Sequence, residues 1–139
     1  MGLLVSCYNE GNVRKLIIFN LDIFMPQIVT YGKDLLRINM QKNSIEYSSN
    51  GGRAWLNRFC MSSVGTFRDL LVMGTDLFAA TSKGLYLSRN GGASWISRYC
   101  NSGVGEFLSL ASDGSEMLAT TTKGLYASRN QGLTWERRR

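Results

Sequence analysis

Three tryptophans, Trp55, Trp95 and Trp135, stand forty residues apart. A period of that length restricts the chain to repeat architectures such as propeller blades or other stacked arrays. The match reaches well beyond the indoles. Lys83-Gly84-Leu85-Tyr86-Leu87-Ser88-Arg89-Asn90-Gly91-Gly92 aligns with Lys123-Gly124-Leu125-Tyr126-Ala127-Ser128-Arg129-Asn130-Gln131-Gly132. A more divergent first copy reads Ser44-Ile45-Glu46-Tyr47-Ser48-Ser49-Asn50-Gly51-Gly52 and carries about two extra residues before Ile45. Upstream, Val64-Gly65-Thr66-Phe67 matches Val104-Gly105-Glu106-Phe107, and each is followed by an apolar strand, a turn at Gly74 or Gly114, and a second strand.

Each copy therefore reads as four short strands joined by turns, the arrangement of a propeller blade. Fifteen Gly and a single Pro among 139 residues fit many strands linked by tight turns. The expected fold is all-β: three four-stranded antiparallel blades at 26–65, 66–105 and 106–139, preceded by a segment, 1–25, whose strands close or extend the array. A lone blade cannot bury both faces, so the blades must stack on one another.

The hairpin Ser-x-Asn-Gly/Gln-Gly-x-x-Trp has a local logic. Asn50, Asn90 and Asn130 can accept bonds from backbone N–H groups further along the turn. Ser48, Ser88 and Ser128 can tie the same turn, and Gly52, Gly92 and Gly132 can take positive φ without a Cβ penalty. Trp55, Trp95 and Trp135 then pack beneath the hairpin as structural anchors. Taken together, Gly-Leu-Tyr-x-Ser-x-Asn-x-Gly-x-Thr/Ser-Trp in the second and third copies resembles the Asp-box, or BNR, repeat, and the resemblance covers residues 26–139. It implies a β-propeller but no single function, because such repeats occur in sialidases, xyloglucan-cleaving glycosidases, sortilin-type receptors and photosystem assembly factors. They lie on blade edges as scaffolding, generally away from active sites. Asn replaces the family's usual Asp here, which argues against a bound cation at the turn.

The chain has no histidine, so a His-ligated zinc site, a Ser-His-Asp triad and a Cys-His dyad are excluded. Cys7, Cys60 and Cys100 lack metal-ligand spacing, and Cys60 and Cys100 occupy one repeated position, which predicts small apolar core residues. Of the ten acidic residues, Asp34, Asp76 and Glu116 share one repeated strand-start position, Asp69 and Asp113 fall near strand ends or turns, and the others form no constellation. Glycosidases need two carboxylates facing across a cleft, so neither catalytic residues nor a cofactor or metal are expected.

The net charge of +6 is dispersed, apart from Arg137, Arg138 and Arg139. Repeated cations are the candidate binding positions: Arg58, Arg98 and Arg138 three residues after each Trp, Arg89 and Arg129 in the hairpins, and Lys83 and Lys123 at the preceding turn. They read either as guanidinium groups that bond neighbouring backbone while their stems cover the tryptophans, or as a cationic ring that meets an acidic partner. The dispersal of charge argues against nucleic acid as that partner.

No run approaches the length needed to cross a bilayer; the most apolar, Leu16–Met25, is interrupted by Asn20 and Asp22. Met1–Ser6 matches the outline of N-myristoylation and Leu4–Cys7 a lipoprotein cleavage box, yet no basic or apolar leader precedes Cys7, so neither is expected. Three blades are fewer than a closed propeller uses, so two chains are expected to assemble a six-bladed ring, with N- and C-terminal strands meeting at a seam. The chain thus reads as a non-enzymatic assembly or protein-binding propeller module. A lectin-like carbohydrate-binding propeller is the alternative, and a sialidase-type fragment a lesser one. Unpaired cysteines point to the cytoplasm, or to a particle assembled there.

Overall fold

A computed structural model describes residues 28–139. The segment expected at 1–25, with Cys7 and the run Leu16–Met25, lies outside the described residues, as does the start of the first blade. The described strands form three separate four-stranded antiparallel sheets, each a simple meander. The first contains β1 (Val29–Tyr31), β2 (Asp34–Asn39), β3 (Ser44–Ser48) and β4 (Leu56–Phe59). The second contains β5 (Phe67–Met73), β6 (Asp76–Thr81), β7 (Gly84–Ser88) and β8 (Ile96–Tyr99). The third contains β9 (Phe107–Ser112), β10 (Met117–Thr121), β11 (Gly124–Ser128) and β12 (Glu136–Arg137). The chain is all-β with three propeller blades, the architecture its period predicts. β1 contacts β5 and β5 contacts β9, so the blades meet along their first strands and the later strands form the rim.

Side chains alternate across a strand, and this alternation explains why β6 is buried almost throughout. Leu77 and Ala79 face the first blade, where they join Leu36, Ile38, Ile45, Val64, Phe67 and Leu70. Phe78 and Ala80 face the third, where they join Leu85, Leu87, Phe107, Met117, Ala119 and Tyr126. Phe67, Phe78 and Phe107 have no exposed surface, and each such side chain contributes about 2–3 kcal/mol by leaving water. The middle blade is thus a sheet with two apolar faces, held between neighbours like the strands of a doubly covered sheet.

Two short 3-10 turns, Ser62–Val64 and Ser102–Val104, connect the blades. Each plugs a valine between sheets: Val64 is 4% and Val104 6% exposed. The glycine that follows is obligatory, because Gly65 has φ +89° and an added Cβ would lie 2.6 Å from Ser82 Oγ. The extra residues of the first blade also have a role. Asn43 sits at φ 53°; its Oδ1 accepts from Phe67 N at 2.8 Å and its Nδ2 donates to Gly65 O at 3.0 Å. One side chain thereby fixes where the second blade begins.

Candidate protein-interaction surfaces

The hairpin between the third and fourth strands is built alike in all three blades. In the second, Ser88 Oγ donates to Asn90 Oδ1 at 2.9 Å and accepts from Gly92 N at 2.8 Å. Asn90 Oδ1 accepts from Ser94 N at 3.0 Å, and the Trp95 indole N–H donates to Gly92 O at 3.1 Å. Ser48, Asn50, Gly52 and Trp55 repeat this set, as do Ser128, Asn130, Gly132 and Trp135. The glycines have φ of 92°, 95° and 88°, and all three indoles are half-buried. Asn has a use here that Asp would lack: Nδ2 of Asn90 and of Asn130 donates to Ser94 Oγ and to Thr134 Oγ1, each at 2.8 Å. Protein groups alone satisfy the turn.

The repeated cations do not form a free ring. Most are spent on the repeated acids of the hairpin end. Arg58 Nη2 reaches Asp34 Oδ2 at 3.2 Å, and its guanidinium lies 3.9 Å from the centre of the Tyr47 ring. Arg129 and Arg138 both reach Glu116 Oε2 at 2.7 Å, and these hydrogen bonds hold the Glu116 carboxyl below the usual carboxylate range. Arg89 approaches Asp76 more loosely, at 3.8 Å. Arg98 instead donates to Gln131 O of the next blade at 3.0 Å. The guanidinium over Trp55, at 4.1 Å, belongs to Arg37. Arg37 also pairs with Glu46 at 2.9 Å, a contact that no repeat signal announces.

The antiparallel meander places Lys83 and Lys123 at the opposite end, in the β6–β7 and β10–β11 turns. Lys83 Nζ donates to Ser63 O at 3.3 Å; neither lysine pairs with an acid among the described residues. Lys83 lines a shallow groove of about 220 Å³ between the second and third blades. Ser82, Cys100, Asn101, Ser102 and Thr122 supply further polar atoms, and Glu106, paired with Arg68 at 2.6 Å, lines it as well.

The cysteines correct an expectation. Cys60 and Cys100 are exposed, not core residues. Each follows the last residue of a rim strand, where the chain leaves the sheet for the 3-10 turn, so its side chain no longer alternates into a blade face. Gly84 packs on the Tyr99 carbonyl and on Cys100, which holds the thiol at the groove. Burial, and then the nearby Cys100 thiol, raise the Tyr86 phenol above its usual pKa.

Asp69 stands two residues from the start of β5, near a strand end as its sequence position implies. It lies within β5, and its carboxylate bridges two blades, accepting from Leu70 N at 2.9 Å and from Leu110 N of the third blade at 2.8 Å. Burial pushes its pKa up against the opposing pull of those two N–H groups.

No protein-family model matches the chain, and no curated protein matches it either. Solved structures do. YCF48 from Cyanidioschyzon merolae superposes with a TM-score of 0.64 at 18% identity, over 81% of this chain and 38% of that one. YCF48 bound to D1 peptide gives 0.62 at 16% identity over the same shares. The GH74 enzyme of Niastella koreensis gives 0.58 at 16%, over 76% of this chain and 19% of that one. At such identities the likeness is one of fold, a β-propeller. The chain spans 38% of the length of the YCF48 structures it matches.

Proposed function

We propose that the chain is a non-enzymatic, protein-binding assembly module of Asp-box type, whose blades at 26–65, 66–105 and 106–139 bind an acidic segment of a protein partner and associate with a second copy of the chain. The observation that carries this reading is the groove between the second and third blades, lined by Lys83, Asn101, Ser102 and Thr122, with the Lys123 stem beside Gly105 of the same lining. These lysines keep their charge available while the hairpin arginines are neutralised by Asp34, Asp76 and Glu116. A propeller of the same fold, YCF48, has been seen bound to a D1 peptide, which supports a peptide-binding use of such a surface.

The commitment of the acids supports a non-enzymatic role. Glu46 is held by Arg37 and Asn39, Glu106 by Arg68, and Asp113 by N–H groups of its own turn. Asp69 serves two backbone amides. Among the described residues this leaves Glu136 as the one acid without a hydrogen-bond or ion-pair partner, and one carboxylate cannot provide the acid/base pair of a glycosidase.

The test is fluorescence anisotropy with a labelled Glu/Asp-rich decapeptide. Lys83→Glu combined with Lys123→Glu should weaken binding at least tenfold, whereas Arg129→Glu should change it far less. Binding that does not occur, or that both variants leave unchanged, contradicts the reading.

A further inference from the structure

The two internal blade junctions define a register. On the face a blade presents to its successor, the second blade offers Phe78, Ala80, Leu85 and Leu87, all sealed beneath the third blade. The equivalent residues of the third blade are Leu118, Thr120, Leu125 and Ala127. Ala127 is buried, but Leu118 and Leu125 are only partly so, Thr120 is exposed, and nearby Leu108 is 36% exposed. Among the described residues, therefore, no blade covers this face, which has the chemistry of an internal junction.

The receiving face is also defined. In the second and third blades it consists of Leu77, Ala79, Tyr86 and Trp95, and of Met117, Ala119, Tyr126 and Trp135. In the first blade the same positions hold Leu35, Arg37, Glu46 and Trp55. Leu35 Cδ1 lies near Gly52 as Leu77 Cδ2 does near Gly92. Both ends depart from the internal pattern, and they depart in matching ways. The receiving face becomes charged where Ala79 becomes Arg37 and Tyr86 becomes Glu46, and it gains bulk at Arg37. The presenting face becomes smaller where Leu87 becomes Ala127, and more polar where Ala80 becomes Thr120, which offers a hydroxyl towards the charged pair. Arg37 and Glu46 are already paired at 2.9 Å, so such a contact buries no unpaired charge.

We propose that the open face of the third blade docks on the Leu35–Arg37–Glu46–Trp55 face of the first blade of a second copy, continuing the blade-on-blade register from chain to chain. This gives the self-association of the proposed function its surface and direction, and it rests on that reading. The contact is heterologous, so it closes a ring only if each chain turns through half of one.

Sedimentation velocity of the full chain at about 50 μM, alone and as variants, tests it. The wild type should sediment as a multiple of the 15.5 kDa chain. Leu125→Arg on the presenting face and Leu35→Arg on the receiving face should each yield monomers with unchanged far-UV circular dichroism. Mixed in equal amounts, the two variants should regain a dimer, since one good pair of faces survives between them. The milder Thr120→Arg, which sets a second cation against Arg37, should weaken association if Leu125→Arg fails to fold. A monomeric wild type overturns the proposal, and is the result expected if residues 1–27 of the same chain cover the open face. A Leu35→Arg variant that still dimerises also overturns it, because two third blades then meet each other. Decapeptide anisotropy on the same samples separates the readings: peptide bound by a monomeric wild type removes self-association and leaves the peptide-binding role standing.

Discussion

Asp69 shows how much one side chain carries between blades. Without its carboxylate, Leu70 N and Leu110 N lose their acceptor, and Asp69→Ala should cost about 1–3 kcal/mol. The ionised form is itself disfavoured by burial, so folding raises the pKa above 3.8. A carboxyl raised on folding contributes most when protonated; that contribution is present below the ordinary value and is lost as pH rises through the folded one. Thermal melts at pH 4 and pH 7 should therefore show Asp69→Asn gaining stability relative to wild type as pH rises. The opposite trend would mean that the two N–H bonds outweigh desolvation. Asn90 and Asn130 follow a different logic, since both Oδ1 and Nδ2 are bonded within the turn.

At the scale of the element, the glycines separate two costs. Gly114, at φ +95°, has open space where a Cβ would go, whereas a Cβ at Gly132, at φ +88°, would lie 2.5 Å from Leu85 Cδ2 of the preceding blade. Gly114→Ala should thus cost about 1–2 kcal/mol of backbone strain. Gly132→Ala should add roughly 1–3 kcal/mol for overpacking the junction. Urea denaturation compares the two, and equal losses would mean that the hairpins do not press on the neighbouring blade. The strands and hairpins were legible because alternation and Asn-Gly turns are local signals. The 3-10 turns were not, because Ser62-Ser63-Val64 and Ser102-Gly103-Val104 become ordered only when the valine is gripped between two sheets. Cys60 and Cys100 misled for a related reason: recurrence marks an equivalent position, and here that position lies just past a strand end. The repeated arginines were visible as candidates, but their pairing with Asp34, Asp76 and Glu116 depends on strand register that no single blade displays in its spacing.

At the scale of the whole molecule, stability should be graded across the array, since blades in a stack are held by their nearest neighbours. The second blade has a partner on each face, while β12 contributes two residues at a rim. Burial on both sides is the physical content of the forty-residue period, and local opening should be hardest where it is greatest. Both the groove between the second and third blades and the proposed chain-to-chain contact depend on it, because each is formed by the face or edge of one blade set against the next. Amide hydrogen exchange at residue resolution tests this stacking most directly. The Leu77–Ala80 amides of β6 should be the slowest to exchange and those of Glu136 and Arg137 among the fastest; comparable rates at the two places would contradict a stack of blades centred on β6.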